Sequence, residues 1–156
     1  MKIIKILIFI FLFGCLGYFR EYFFVNLNNI MYQKYYGHTD LPMSSLLSFF
    51  KLFSYNTLYF SKYFLTLLWI GLFYVVNLFC LKKMSEQKIL LKILTYTYIL
   101  LLILAAVSMM YGYFINKRFQ DDEYTISRWL LGIAQSPIIC LILMASEKLN
   151  TKPNKP

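Results

Sequence analysis

The sequence predicts an all-α membrane protein with four transmembrane helices and one amphipathic helix that lies in the membrane interface. Three observations predict this class. Apolar residues make up 60% of the 156 residues, whereas a soluble domain holds about 45–50% and has no core large enough for the excess. The apolar residues gather into four runs, each near the length of roughly 17–25 residues that crosses a bilayer. Lysines and arginines stand at the ends of these runs, as is typical of polytopic membrane proteins.

The first predicted span covers residues 3–19. Two interpretations fit its basic start and apolar run: an uncleaved transmembrane helix, which we favour because the run continues past Cys15, and a cleaved signal peptide. Arg20 and Glu21 follow this span. A charge left in hydrocarbon costs about 2.5–3.5 kcal/mol. These two side chains are therefore predicted to lie near the far interface or to face protein.

The connection over residues 22–61 is predicted to lie in the membrane interface. It is rich in tyrosine, whose ring has an apolar body and a polar end and so suits the headgroup layer. Asn26 adds an amide next to the charged pair. From Ser44 onward, the apolar residues form a run that is too short to cross a bilayer. Such a run is typical of an amphipathic helix lying along the interface, with Lys51 on its polar side.

The second and third predicted spans, residues 63–81 and 93–115, flank a short Lys-rich connection. So short a connection predicts that the two spans pack antiparallel beside each other. Asn77 and Trp69 are the notable polar-capable residues of the second span. Small residues in the third span allow close contact with a neighbouring helix.

The last predicted span covers residues 129–145, and a polar tail over residues 148–156 follows it. The four spans form a single membrane domain over residues 1–147. Pro137 removes a backbone donor inside the last span, so we expect a kink there. The polar residues near this span and the first one are predicted to form a stripe. Either it joins the helices to one another and anchors them at the interface, or it binds a partner or lipid headgroups: Arg20, Glu21, Asn26, Arg128, Gln135, Ser136 and Pro137. Within this stripe, Glu21 and Arg128 are expected to pair.

The distribution of basic residues predicts the orientation. With four spans, both termini lie on one side, together with nine of the 16 Lys and Arg residues in short segments. The other seven lie in longer segments on the opposite side. Positive charge in short loops marks the cytoplasmic side. We predict a bacterial inner-membrane protein with both termini cytoplasmic, whose net charge of +9 serves orientation and headgroup contact and not nucleic acid.

No arrangement of residues in the sequence points to catalysis, a cofactor or a metal. The three cysteines each lie in an apolar run without CxxC spacing and are interpreted as inert small hydrophobic residues. His38 is the single histidine, and it has no Cys, Asp or Glu cluster around it in the sequence. A Gly-rich phosphate loop and an HExxH motif are both missing. We predict no catalytic, cofactor-binding or metal-binding residue, and an enzyme is the less favoured class.

Two short motifs resemble those of a known family. Arg20-Glu21 closes the first span ahead of an aromatic run, and Arg128 opens a stretch that contains Gln135 and Pro137. With the four-span layout, these motifs resemble the small four-span proteins associated with exosortases in Gram-negative bacteria. This sequence has one Arg where that family has two, and a serine separates Gln135 from Pro137. The resemblance implies an accessory inner-membrane protein that contacts a larger membrane partner, with no established chemistry of its own.

Three functions follow from these patterns. The favoured one is an accessory protein, of an exosortase-type sorting or export system, that binds an integral membrane partner or lipid headgroups. The second is a small transporter or channel that acts as a homo-oligomer, which requires a continuous polar path. The third is a membrane enzyme acting on a lipid or a sorted peptide, with arginines holding a phosphate.

Overall fold

The computed structural model describes residues 2–37, 41–42, 44–85, 87–111 and 125–150. Within these residues every regular element is helical, which confirms the all-α prediction. The elements are α1 (Lys2–Tyr36), a 3-10 helix (Ser45–Leu52), α2 (Tyr55–Met84), α3 (Lys88–Tyr111), α4 (Thr125–Ala134) and α5 (Ile138–Asn150).

Three of these helices, α1, α2 and α3, are long and apolar enough to cross a membrane. Helices α4 and α5 pass the same test only as a pair, which is bent by 62° at a short break. The described chain therefore has three candidate spans, or four if the bent pair is one span. The last span was predicted as one helix over residues 129–145 with a kink, whereas it is two separate helices.

Local sequence explains the break between α4 and α5. The amide of Gln135 donates to the Leu131 carbonyl at 3.0 Å and makes the final bond of α4. Ser136 and Pro137 lie between the two helices. The Ser136 hydroxyl accepts from the Ile138 amide at 3.4 Å, and the Pro137 carbonyl accepts from the Leu141 amide at 3.0 Å, which is the first hydrogen bond of α5. Proline at the start of a helix costs no hydrogen bond, since the amide that it lacks would be unsatisfied there.

Helix α1 extends well beyond the predicted first span. It continues past residue 19 to Tyr36, so the predicted interfacial segment is largely helical. Residues 20–36 contain no glycine or proline, and nothing in them stops a helix. Gly37 ends α1 with a positive φ of 74°, and its amide donates to the Gln33 carbonyl at 2.9 Å. This is the left-handed cap that glycine adopts without a steric penalty.

The chain forms two compact units, Met1–Trp69 and Ile70–Pro156. The core of the first unit brings the second half of α1 onto the start of α2, through Leu27, Ile30, Met31 and Leu58. The first half of α1 is different, since no residue from Ile4 to Val25 is buried. One end of this long helix therefore contributes to the core, while the other end contains no buried residue.

The second unit contains the rest of α2 with α3, α4 and α5. Two hydrogen bonds join α2 to the last part of the chain. Asn77 donates to the Ser136 carbonyl at 3.1 Å, and the Ser85 hydroxyl donates to Glu147 Oε1 at 2.9 Å. Because both pairs follow the same order along the chain, α2 and α5 run in the same direction. Their carboxyl ends, with the lysines that flank them, lie together.

Candidate functional site

Arg20 and Glu21, predicted as a charged pair at the end of the first span, lie in the middle of α1 and contact each other. Arg20 Nη1 lies 3.4 Å from Glu21 Oε2. The guanidinium of Arg20 also lies 5.8 Å from the centre of the Phe24 ring, within the range of a cation–π contact. An exposed pair of this kind adds about 0–1 kcal/mol to stability. Its value to the fold is small, and Glu21 remains open to an outside group.

Both polar atoms of the Asn26 side chain form hydrogen bonds within the chain. Its Nδ2 donates to the Tyr22 carbonyl at 2.7 Å, and its Oδ1 accepts from the Ser44 amide at 2.8 Å. Asn29 and Gln33, on the same side of α1, donate to the carbonyls of Pro42 and Leu41 at 3.1 Å each. Three amide side chains therefore hold Leu41, Pro42 and Ser44 against α1, an arrangement that we call the brace. The Tyr22 hydroxyl donates to the Ser44 hydroxyl as well.

The predicted polar residues of the last span do not share one environment. Arg128 is exposed on α4, while Gln135, two turns later, is buried. Ser136 and Pro137 form the break. The predicted pairing of Glu21 with Arg128 joins the two units and stays a prediction.

A buried polar cluster in the second unit is the strongest candidate site, and we call it the break site: Asn77, Tyr98 and Ser136. Asn77 is fully buried, with 0% of its surface exposed. Its Nδ2 donates to the Tyr98 hydroxyl at 2.7 Å and to the Ser136 carbonyl at 3.1 Å. Its Oδ1, by contrast, has no hydrogen-bond partner among the described residues.

The geometry fixes which way the Asn77 amide points. The Ser136 carbonyl can only accept a hydrogen bond, so the nitrogen of Asn77 must face it and the oxygen must face away. A buried acceptor without a donor costs about 1–3 kcal/mol. The break site therefore holds an acceptor oriented for a donor, such as water, a hydroxyl or an ammonium group.

Neighbouring aromatic side chains support the break site. The Tyr74 ring meets the Tyr98 ring edge-on with centroids 5.0 Å apart, and the Tyr74 hydroxyl is hydrogen-bonded to the Thr95 hydroxyl at 3.0 Å. These contacts hold Tyr98 in position between α2 and α3. They also continue a line of polar atoms along the two helices.

Only part of this site can be recognised from the sequence. Asn77 stands out as a polar residue in an apolar span, and Ser136 lies beside a helix-breaking proline, but neither feature alone connects the two residues. A polar residue within a span generally faces the interior of a helix bundle, and broken spans often supply ligand sites. Together these signals could have linked Asn77 to the break. Nothing in the sequence singles out Tyr98.

The sequence matches no protein-family model and no curated protein, and the fold matches no solved structure. The resemblance to exosortase-associated proteins therefore depends on its two short motifs and on the helical layout. Function has to be inferred from the chemistry of the residues themselves.

Proposed function

We propose that the protein is a multi-pass protein of the bacterial inner membrane and acts as an accessory subunit without chemistry of its own. In this proposal α1, α2, α3 and the bent pair α4–α5 cross the bilayer. The subunit binds a larger integral membrane partner. An exosortase-type sorting or export system is the class of partner that the sequence resemblance suggests.

The main support is the unpacked first half of α1. Seven large apolar side chains between Ile4 and Leu12 are exposed, and Phe11 is 74% exposed. Burying one such side chain is worth about 1.5–3 kcal/mol, so leaving seven in water forfeits roughly 10–20 kcal/mol. That loss is as large as the whole stability of a typical domain, about 5–15 kcal/mol. This segment therefore needs lipid or protein around it.

The length of α1 supports the predicted depth of the charged pair. Its 35 residues extend for about 52 Å at 1.5 Å per residue, whereas the hydrocarbon layer is about 30 Å thick. If the apolar first half crosses the bilayer, Arg20 and Glu21 reach the far interface. The packed part of the helix then lies beyond it.

The arrangement of α2 and α5 supports the predicted orientation. The Ser85–Glu147 hydrogen bond brings the carboxyl ends of these helices together. Lys82, Lys83 and Lys148 lie at these same ends. A cluster of lysines on one side is what the cytoplasmic face of a membrane protein requires, in line with cytoplasmic termini.

Helix α1 is also the best candidate for partner contact. In α3 the buried residues fall on one face, Leu90, Leu94, Tyr98 and Ala105, so only the opposite face is left for lipid. The first half of α1 has no buried residue, and its exposed side chains, such as Leu7, Ile8 and Phe11, are available to a partner helix. Arg20, Glu21 and Arg128 would then offer charges to that partner or to phosphate headgroups.

Site-specific photocrosslinking in cells tests this proposal. A photoreactive phenylalanine analogue replaces Phe11 on α1 or, as the matched control, Ile103 on α3, which is also exposed. We expect Phe11 to give an adduct with a larger membrane protein and Ile103 to give none. An adduct of two copies of this chain would favour the homo-oligomer instead. A lone monomer at both positions, after purification in mild detergent, would overturn the accessory role.

A second candidate function, a small transporter or channel, has one specific observation in its favour. The Asn77 oxygen lacks a donor among the described residues, and it lies against a broken helix. Non-helical backbone within a membrane is tolerated only where protein or a water-filled cavity surrounds it. In a variant whose native cysteines are serines, Asn77→Cys would react with a small hydrophilic thiol reagent if water reaches the site. Failure to react, with Ile103→Cys as the lipid-facing control, would exclude a path there.

A further inference from the structure

Five lysines gather at the end of the second unit where α2, α3 and α5 come together. The Ser85 hydroxyl donates to Glu147 Oε1 at 2.9 Å, and this bond joins the carboxyl end of α2 to that of α5. The short connection after Ser85 leads directly into α3. Four of the lysines lie within three residues of Ser85 or Glu147, which is about 10 Å of chain at most, and the fifth lies one turn further along α3. We call this group the basic end: Lys82, Lys83, Lys88, Lys92 and Lys148.

The fold does not balance the charge of the basic end. All five lysines are exposed, and the ammonium groups of Lys82, Lys88 and Lys92 form no ion pair with a described carboxylate. Glu147 is the only acid among the described residues of the second unit. The connection adds Glu86, which is not among the described residues. Five lysines against these two acids leave a net charge of +3 at this end.

The start of α3 holds part of this charge in an unfavourable place. Lys88 is the first residue of α3 and Lys92 follows it by four, so both side chains project from the same face. Positive charges near the amino end of a helix oppose its dipole, and like charges four residues apart repel each other. The first turn of α3 has no acid to offset them. Folding alone therefore gives no reason for this pair, whereas a bound anion would be stabilised by both lysines.

Exposed apolar side chains lie directly beside the lysines. Ile89 and Ile93, each of which follows a lysine of α3, are 60% and 41% exposed. On α2 the Lys83 ammonium lies 5.7 Å from the centre of the Phe79 ring, and Phe79 is 53% exposed. A soluble anion such as inorganic phosphate has no apolar part to cover these side chains. A phospholipid has both parts, a phosphate for the lysines and acyl chains for the apolar residues.

We propose that the basic end binds an anionic phospholipid whose headgroup carries two phosphates, as cardiolipin does. This site depends on the proposed membrane location of the chain. The lysines that flank the connection form two pairs, one at the end of α2 and one at the start of α3, and each pair supplies the positive charge for one phosphate. Lysine binds phosphate as a point charge and needs no single fixed geometry. Basic residues just outside a span, on the cytoplasmic side, are typical of sites for such headgroups.

Native mass spectrometry of the purified full chain in detergent tests the choice of lipid. The protein is stripped of lipid and then titrated with one defined lipid at a time. At equal headgroup charge, we expect cardiolipin to bind more tightly than phosphatidylglycerol, which has a single phosphate. Phosphatidylethanolamine, which has no net charge, should not be retained.

Glutamine variants test the lysines. Lys88→Gln with Lys92→Gln should weaken cardiolipin binding about 25-fold, since each lysine near an anionic lipid contributes about fivefold. Replacing the α2 pair by glutamine should have a similar effect. The matched control, Lys34→Gln with Lys51→Gln, changes two exposed lysines of the first unit and should bind like the native protein. Lys88→Arg with Lys92→Arg keeps the charge and should also keep the binding.

Thermal unfolding without lipid separates weak binding from misfolding. The glutamine variants of α3 should unfold at the same temperature as the native protein or at a higher one, because they lose the repulsion at the start of the helix. Equal binding of cardiolipin and phosphatidylglycerol, equal binding by the glutamine variants, or displacement of the lipid by pyrophosphate at the same concentration would each overturn the proposal. These outcomes leave the proposed membrane location intact. That location would fail separately if the chain stayed soluble and monomeric after detergent removal.

Discussion

Asn26 and Asn77 are both buried asparagines inside long helices, but their amides meet different surroundings. Asn26 uses both ends: its nitrogen donates to the Tyr22 carbonyl, and its oxygen accepts from the Ser44 amide. Asn77 uses only its nitrogen, and its oxygen is buried without a partner among the described residues. Residue type and burial are the same in the two regions. What separates them is whether the fold itself satisfies the side chain.

The difference separates a structural residue from a candidate functional one. A buried amide whose hydrogen bonds are all made adds about 0.5–1.5 kcal/mol of stability per hydrogen bond. That stability is sufficient to explain an asparagine at position 26. An unsatisfied acceptor subtracts about 1–3 kcal/mol, so folding alone gives no reason for the Asn77 oxygen. Unsatisfied buried groups of this kind are expected where a ligand, a water or a catalytic group completes them. Three substitutions test this contrast, and a fourth tests the contact between the ends of α2 and α5.

The largest effect is expected from Asn77→Asp. The carboxylate has no N–H to donate to the Ser136 carbonyl and would place an unpaired charge at a fully buried position. Leaving a buried charge without its partner costs about 3–5 kcal/mol. The free energy of unfolding, from detergent titration followed by circular dichroism, should fall by about that amount. Asn56→Asp, at the exposed start of the same helix, is the control and should leave the free energy of unfolding unchanged or raise it by less than about 1 kcal/mol, since an acid near a helix amino end is favourable.

Asn26→Leu comes second. It removes both hydrogen bonds that the Asn26 side chain makes and leaves the Ser44 amide without an acceptor. The free energy of unfolding should fall by about 1–3 kcal/mol. The loss should appear as lower unfolding free energy and as faster amide exchange at residues 44–52. The exposed neighbour Asn28 gives the control, Asn28→Leu, with no change expected. If both substitutions were equally mild, Asn26 would not be the brace we describe.

Ser85→Ala should have a smaller effect. It removes the hydrogen bond to the partly buried Glu147 carboxylate. A hydrogen bond to a charged group contributes about 1.5–3 kcal/mol when water is excluded, and nearer about 1 kcal/mol when water reaches it. We expect about 1 kcal/mol in unfolding free energy. Ser48→Ala, which removes only a local bond within the 3-10 helix, is the comparison. A larger loss at Ser48 than at Ser85 would contradict the joined ends of α2 and α5.

The sequence predicted the helices better than their ends. Apolar runs identified the parts of α1, α2 and α3 that suit lipid, but hydropathy marks where lipid contact would begin and not where hydrogen bonding stops. Helix α1 therefore continues to Gly37, through residues that are polar yet helix-compatible. At Ser136-Pro137 the predicted kink is present as a bend of 62°. The apolar run suggested one helix there, whereas these residues separate α4 from α5.

The candidate site was less predictable for a physical reason. Asn77 stands out in the sequence as a polar residue in an apolar span, but its partners come from other helices. Ser136 is 59 residues away along the chain. The local sequence pattern does not show which helices pack together or which residues of two packed helices lie at the same level.

The smallest effect is expected from Asn77→Leu, and it is the sharpest test of the contrast with Asn26. Leucine has nearly the shape of asparagine, so no cavity forms. The change withdraws Nδ2 from both the Ser136 carbonyl and the Tyr98 hydroxyl. The carbonyl loses its donor, a cost of about 1–3 kcal/mol, whereas the hydroxyl can rotate toward another partner. The change also removes the unsatisfied oxygen, a gain of about the same size as the carbonyl's loss. These terms should cancel to within about 1 kcal/mol. Asn26→Leu has no such compensation, because both ends of that amide are used. If Asn77→Leu and Asn26→Leu reduced the free energy of unfolding equally, water or another donor would already satisfy the Asn77 oxygen. The break site would then have a structural role, like the brace around Asn26.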